Sequence, residues 1–179
     1  MAPVVPAFAM DAEMLKVMLM HPELNGGQSR PAYNIPRETV DYNGPYAPGT
    51  IIVATGERRL YLVLSDHKAL KYAVGVPRPG FEWSGTERIT QKRKNPTWTP
   101  PASMRRRRPD LPISMKGGPN NPLGIRTMYL GNTLYRIHGS NEPASVGHAE
   151  SSGCIRITNA DSLDLYDRVK IGTVVHILR

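Results

Sequence analysis

The sequence predicts a mainly β fold with long loops, on three observations. The 179 residues include 17 prolines and 16 glycines, and helices tolerate both residue types poorly. Three short runs rich in apolar and β-branched residues follow one another closely between residues 49 and 76. Two further runs are separated by Gly131–Asn132, a pair that is typical of a β-hairpin. A chain of this length can form one domain with a substantial core.

Residues 1–36 are expected to form an N-terminal extension and linker. Asp11–Met20 has an acidic first turn and a Met-rich face, which predicts a short helix, and the Pro and paired Gly that follow end it. The opening MAPVVPAFAM lacks a basic region and a long apolar run, so we expect no intact signal peptide. No stretch approaches the roughly 20 apolar residues that span a bilayer.

The core domain is expected to cover residues 37–179. Its first three predicted strands are GTIIVAT (49–55), RLYLVL (59–64) and ALKYAVGV (69–76), and their close spacing predicts an antiparallel meander. The remaining predicted strands are IRTMYL (125–130), TLYRIH (133–138) and TVVHIL (173–178).

Residues 77–122 carry many prolines and glycines and are predicted to form a long covering loop. Trp83 and Trp98 indicate that this loop is ordered, either because they anchor it or because they contact a substrate. Arg105–Arg108 gives the loop a concentrated positive charge.

A helix is predicted to follow the segment around residue 154. Thr158 and Asp161 resemble a capping box at its start. Four residues recur at every third position and are expected to form the face that packs on the sheet: Ala160, Leu163, Tyr166 and Val169.

The single cysteine, Cys154, stands in the stretch HAESSGCIRI. A lone cysteine excludes an intrachain disulfide and is often a small buried core residue. Here Ser151, Ser152 and Gly153 leave the approach to the thiol uncrowded, and amides around Gly153 and Cys154 are candidates for an oxyanion hole. The alternative is a turn with serine caps that leads into the helix.

An extended CIRI segment would bury Ile155 and Ile157 and place Cys154 and Arg156 together on the opposite face. The guanidinium and the N-terminus of the predicted helix both favour a thiolate. We therefore expect the pKa of the thiol to be lowered, by about two units if thiolate is to dominate at neutral pH. Cys154 is thus a candidate nucleophile.

A thiol nucleophile needs a base, and two histidines stand nearby in sequence. His138 ends a predicted strand, on the same face as Arg136, and is followed at once by Gly139. His148 is closer in sequence but stands among polar loop residues. The strand end is the more rigid platform and favours His138, although a lone histidine is more often structural than catalytic.

The segment IHGSNEPASVGHAESSGCIRI resembles the catalytic domain of the L,D-transpeptidases, the YkuD-type family. That family carries a His-Gly pair, a spacer of similar length, and Ser-x-Gly-Cys followed by an aliphatic residue and Arg or Asn. Here the two parts are His138-Gly139 and residues 151–156. APGTIIV, YAVGV, PTWTPP and GGPNNPLG also carry the resemblance, which covers residues 37–179 and not residues 1–36.

The resemblance implies a YkuD-type β-sandwich with a long covering loop and one or two short helices, including one after the cysteine. It implies that Cys154 is the nucleophile and His138 the general base, with the Gly139 carbonyl orienting the imidazole. It implies a substrate-binding role for Ser151, Ser152, Gly153 and Arg156. Many members have His at the position of Ser152, so the resemblance does not predict which substrate contacts Ser152 makes.

The resemblance also implies the chemistry. Cys154 would attack the carbonyl between the diamino acid at stem position three and the terminal D-alanine of peptidoglycan. A side-chain amine of a second stem would then resolve the acyl-enzyme to a 3-3 cross-link. Water as acceptor would give an L,D-carboxypeptidase, and a protein amine would attach that protein to the wall; the sequence does not choose between these acceptors.

Further implications are a periplasmic or cell-envelope location and acylation of Cys154 by carbapenems. We expect no cofactor and no metal, because the sequence shows neither a clustered ligand set nor a phosphate-binding loop.

The formal net charge of +8 at pH 7 favours an anionic partner. Two other functions fit this charge. A non-catalytic wall- or glycan-binding module would need only the basic surface and the tryptophans. Nucleic-acid binding through MRRRRPD (104–110) would use the consecutive arginines, but no recognised nucleic-acid motif accompanies them, so we expect no nucleic-acid partner.

Overall fold

The computed structural model describes residues 35–179. The helix predicted over Asp11–Met20, and almost all of the predicted extension 1–36, lie outside the described residues. The boundary between extension and core domain therefore stays a prediction. In the described part of the chain, no helix is both long enough and apolar enough to cross a membrane.

Residues 35–179 form eleven β-strands, two α-helices and one 3-10 turn, so the mainly β fold with few short helices is confirmed. The strands are β1 (Glu38–Asp41), β2 (Ile51–Ala54), β3 (Arg59–Val63), β4 (Lys68–Ala73), β5 (Val76–Pro77), β6 (Gly85–Lys94), β7 (Arg126–Leu130), β8 (Arg136–His138), β9 (Ala149–Ser151), β10 (Ile155–Arg156) and β11 (Val174–Leu178). The helices are α1 (Ala102–Arg107) and α2 (Asn159–Arg168), and the 3-10 turn is Pro143–Ser145.

Strands β2, β3 and β4 form the predicted antiparallel meander. Ile51 pairs with Leu62, and Leu60 pairs with Tyr72, so alternate apolar side chains stack on one buried face. The third predicted strand is shorter than expected, since β4 ends at Ala73 and the chain continues into β5, which pairs with β9 in a separate small sheet.

Nine strands form one sheet in the order β1-β4-β3-β2-β11-β6-β7-β8-β10. Strand β6 joins its two halves, because Gly85–Arg88 pairs with β11 and Ile89–Lys94 pairs with β7, with a register shift between Ile89 and Gln91. A bulge of this kind bends a strand and increases its twist. The sheet therefore curls, and apolar side chains from both halves meet in one core.

The prediction that residues 77–122 form a loop is wrong for strand β6. Within this ten-residue strand only Ile89 is buried, and the other positions are polar, charged or glycine. Without apolar alternation the sequence carries no strand signal. Backbone pairing with β11 on one side and β7 on the other holds the segment extended, so tertiary context overrides local preference.

The part of the chain that follows β6, residues 95–124, contains α1 and is ordered, as the tryptophans indicated; we call it the covering segment. Trp98 and Met115 exchange two backbone hydrogen bonds of 2.8 Å. The side-chain amide of Asn121 donates to three backbone carbonyls at 3.0, 3.2 and 3.1 Å. Trp98 itself is buried, so it anchors this segment.

Helix α2 begins as predicted, but its buried face differs from the prediction. The Thr158 hydroxyl accepts from the Asp161 amide at 3.1 Å and donates to the Asp161 carboxylate at 2.9 Å. Ala160 and Leu163 are exposed, because a spacing of three drifts around a helix of 3.6 residues per turn. The apolar side chains that pack inward are Leu165, Tyr166 and Val169.

Candidate active site

The parallel pairing of β8 and β10 sets the geometry of the site. Ile155 pairs with Ile137, and both are fully buried, as is Ile157. The predicted alternation around Cys154 is thereby confirmed. The opposite face carries His138 and Arg156, and by alternation also Arg136 and Cys154; all four side chains line one groove, and we call them the polar face. Neighbours on this face are about 4.8 Å apart across the strands and about 6.6 Å apart along them.

The histidine of the polar face is buried and uncharged at neutral pH. His138 Nδ1 lies 2.6 Å from the Gly139 carbonyl, which can only accept, so Nδ1 carries the proton and Nε2 is the basic nitrogen. Burial lowers the pKa of His138 to about 4; the Gly139 hydrogen bond opposes this shift, and the charges of Arg156 and Arg136 add to it.

The Gly139 carbonyl is held in place by close backbone packing. A Cβ at Gly139 would lie 2.3 Å from Asn159 Oδ1 and 3.3 Å from Gly124 Cα, so a larger residue would displace this loop. The Gly139 amide donates to the Arg126 carbonyl at 3.0 Å, and the Ile125 amide donates to Asn159 Oδ1 at 3.2 Å. The start of α2 therefore fixes the group that orients the imidazole.

The pKa of the Cys154 thiol is raised, so the predicted lowering of this pKa is wrong. Burial raises the pKa of Cys154, and the charges and hydrogen bonds of Arg136, together with the charge of Arg156, only partly oppose this. The thiol donates to the Leu134 carbonyl at 3.8 Å. The arginines act in the predicted direction, but desolvation is the larger effect, and sequence alone did not reveal it. The groove is thus lined by a thiol whose pKa is raised and by a neutral imidazole.

The loop before the cysteine is held by its own serine. Ser151 is buried, and its hydroxyl donates to the Cys154 carbonyl at 2.5 Å and accepts from the Gly153 amide at 3.3 Å. The Gly153 amide, one of the two expected oxyanion donors, is therefore already engaged. Ser152 is exposed and lines the groove described below.

The glycine before the cysteine serves packing within the protein rather than close approach of a bound group. Gly153 has φ +121°, and a Cβ there would lie 2.2 Å from Tyr135 Cε1. The Tyr135 ring stacks on Trp83 with ring centroids 4.4 Å apart, and Trp83 Nε1 donates to the Gly153 carbonyl at 2.8 Å. Trp83 is thus an anchor of the cysteine loop. Tyr135 could not be predicted as part of the site, because no local pattern links it to Gly153, 18 positions later.

The polar face lies in a groove of about 1040 Å³. Cys154, His138 and two arginines line it from the sheet, and α1 with its flanking residues lines it from the covering segment. Arg156 also lies 3.6 Å from the exposed Glu142. His148 does not line this groove; its carbonyl accepts from the Val76 amide at 2.9 Å. The structure thus brings His138, and not His148, to the groove that contains Cys154.

The protein is thus mainly β, with a curled sheet whose polar face places its single cysteine at a large groove. The family model of the L,D-transpeptidase catalytic domain (YkuD) matches residues 48–177. The chain therefore belongs to the L,D-transpeptidase family, as the resemblance of its motifs indicated.

Curated relatives carry the same family name. The Escherichia coli (strain K12) protein named "Probable L,D-transpeptidase ErfK/SrfK" is 37% identical over 137 residues, which is 72% of this chain and 43% of that protein. "Probable L,D-transpeptidase YbiS" from the same strain is 33% identical over 137 residues, or 72% of this chain and 44% of that protein. The chain thus spans less than half the length of these relatives.

Solved structures share the fold. An L,D-transpeptidase from Mycobacterium smegmatis matches with a TM-score of 0.57 at 15% identity, covering 73% of this chain and 58% of that one. A Brucella melitensis structure matches with a TM-score of 0.55 at 40% identity, covering 79% of this chain and 92% of that one. The latter is described as a probable carnitine operon oxidoreductase, which differs from the family that the domain model and the curated relatives indicate for this chain.

Proposed function

We propose that this chain is the catalytic part of a cysteine-dependent L,D-transpeptidase that forms 3-3 cross-links between peptidoglycan stem peptides and releases D-alanine. The observation that carries the proposal is the polar face: Cys154 and a neutral His138 line one groove, and the Gly139 contact leaves Nε2 as the basic nitrogen. Membership of the family supports the reaction class.

In the acylation step, Cys154 Sγ attacks the carbonyl carbon that joins stem residue three to D-alanine. The thiol proton passes to His138 Nε2, and the imidazolium then gives it to the departing amine as the C–N bond breaks. Because both groups are neutral at rest, His138 acts as a base during attack instead of pairing with a preformed thiolate. The thiol must first leave the Leu134 carbonyl by rotation about its Cα–Cβ bond.

The oxyanion is assigned to the backbone amide of Cys154. The Gly153 amide donates to Ser151 Oγ at 3.3 Å, a long bond that does not leave this donor fully available. The Cys154 amide lies in one peptide plane with the Gly153 carbonyl, whose direction is fixed by the 2.8 Å hydrogen bond from Trp83 Nε1. Ser151 holds the next peptide through the Cys154 carbonyl.

In the second step, the side-chain amine of an acceptor stem attacks the thioester. His138 takes the proton of this amine, the C–S bond breaks, and the thiol is restored. The groove volume of about 1040 Å³ slightly exceeds the roughly 300–1,000 Å³ of ordinary small-molecule sites, which favours two peptide chains in the groove. Peptidoglycan lies outside the cytoplasmic membrane, so we assign the protein to the periplasm or cell envelope.

The test is a product analysis with purified disaccharide-tetrapeptide and intact-mass detection. The protein should release D-alanine and form the cross-linked dimer, and a carbapenem should add one covalent adduct at Cys154. Cys154→Ala and His138→Ala should abolish turnover, whereas His148→Ala should retain it. Hydrolysis without dimer would reassign the acceptor to water, and D-alanine release by Cys154→Ala would end the proposal.

A further inference from the structure

The groove around Cys154 is strongly positive. None of its described lining residues is acidic, and four are arginines: Arg105, Arg107, Arg136 and Arg156. Positive charges in a partly desolvated groove repel one another, and their field concentrates anions there. The groove therefore favours a ligand that carries several negative charges, and a stem peptide contains several carboxylates.

Arg136 stands out among these arginines. Its Nε is buried and has no hydrogen-bond partner within the described residues, and its guanidinium lies 5.1 Å from the ring centroid of Tyr129, which restricts its orientation. Arg156, by contrast, lies 3.6 Å from the exposed Glu142. A buried, unsatisfied donor on a charged group is costly, so its persistence next to the nucleophile indicates a ligand-binding role.

The position of Arg136 on the polar face determines which carboxylate it can reach. His138 pairs with Arg156 across β8 and β10. Continuing this register by two residues places Arg136 next to Cys154, and both side chains line the groove. The amine of the departing D-alanine must approach His138 to receive its proton, so the D-alanine carboxylate falls on the side of Arg156. The stem residue acylated on Cys154 stays on the other side, where its side chain faces Arg136.

On the basis of the proposed function, we infer that Arg136 binds the free side-chain carboxylate of the diamino acid at stem position three. A guanidinium presents paired donors that match a carboxylate and cannot accept a hydrogen bond. Amidation of that carboxylate removes its charge and places an NH₂ donor against a donor. The site therefore selects stems with a free carboxylate over amidated stems, by about 10- to 100-fold.

The test uses two synthetic tetrapeptides that end in D-alanine and differ only in a carboxylate or a carboxamide on the diaminopimelate side chain. The dissociation constants of both are measured on Cys154→Ala, and kcat/KM for D-alanine release is measured on the protein with Cys154 intact. Each measurement is repeated with Arg136→Gln and Arg136→Lys. Arg106→Gln is the matched control, since Arg106 is exposed on α1 and does not line the groove.

We expect the preference for the free acid to fall to near unity in Arg136→Gln, to be partly kept in Arg136→Lys and to be unchanged in Arg106→Gln. If Arg136 acted only by activating the thiol, its replacement would slow D-alanine release from both peptides equally. Iodoacetamide alkylation of Cys154 across pH measures that effect on the thiol separately. Equal binding of the two peptides, or a preference that survives Arg136→Gln, would overturn the inference even if D-alanine release is observed. Selective binding without D-alanine release would retain the carboxylate site and reject the proposed function.

Discussion

Replacement of His138 by Asn should make the free energy of unfolding less sensitive to acid pH. The unfolded chain binds a proton on this imidazole at its ordinary pKa of 6.5, whereas burial holds the native pKa at about 4. Unfolding between these two values takes up a proton, so the free energy of unfolding falls as the pH drops below 6.5 and levels off near 4. Asn is a suitable replacement because its amide nitrogen can still donate to the Gly139 carbonyl.

The size of the effect follows from these two pKa values. At pH 5 the imidazole is almost fully protonated in the unfolded chain and almost unprotonated in the native protein. A pH of 5 lies about 1.5 units below the pKa of the unfolded chain. At about 1.4 kcal/mol per unit, this lowers the free energy of unfolding by about 2 kcal/mol. At pH 7.5 the same term is close to zero, because the imidazole is neutral in both states.

The measurement is urea unfolding at pH 7.5 and at pH 5, followed by tryptophan fluorescence, for both proteins. All groups other than residue 138 are common to both proteins, so the comparison of the two pH-dependent losses isolates His138. The protein with His138 should lose about 2 kcal/mol more than His138→Asn between the two pH values. Losses that agree within about 0.5 kcal/mol would refute the buried, neutral imidazole on which the proposed acylation step rests.

Three other outcomes are expected. Gly153→Ala should lower the free energy of unfolding in urea by more than about 2 kcal/mol, because its Cβ would meet the Tyr135 ring and φ is +121°. The control Gly172→Ala, with φ +92° and nothing within 4 Å of its Cβ, should lower it by about 1 kcal/mol; equal losses would contradict the packing argument. Alkylation of Cys154 by iodoacetamide should keep accelerating above pH 8, since burial raises the pKa of this thiol, and a plateau by pH 7 would indicate a preformed thiolate. Trp83→Phe keeps the ring stack but loses the 2.8 Å hydrogen bond to the Gly153 carbonyl, so it should slow carbapenem acylation of Cys154 several-fold with little change in the thermal midpoint. An unchanged acylation rate would show that Trp83 does not position the cysteine loop.

Most of the core strands were predictable because their patterns are local. The meander β2–β3–β4 and the alternation around Cys154 follow from apolar residues at strand spacing. Strand β6 was not predictable, because polar and charged residues fill it and its partners, β11 and β7, are distant in sequence. The covering segment was recognised as an ordered region, but its helix α1 was not.

The candidate site divides in the same way. His138, Gly139 and Cys154 were predicted as site residues from the resemblance of their motifs to the family. The register of β8 and β10, continued by two residues, then places Arg136 beside Cys154. The ionisation of the thiol was predicted with the wrong sign, because a neighbouring arginine can be read from the sequence whereas the depth of burial cannot.

The sequence by itself determined the β-rich class of this protein, singled out Cys154 and His138 as candidate site residues, and placed the start of the helix that follows them. These features depend on residue type and short-range spacing. Only the tertiary structure decided how the sheet curls through β6, why Gly153 must be glycine, and whether the thiol is charged at rest. Those features depend on what lies across space, namely the strands on either side of β6, the ring of Tyr135, and the amount of protein that replaces water around Cys154.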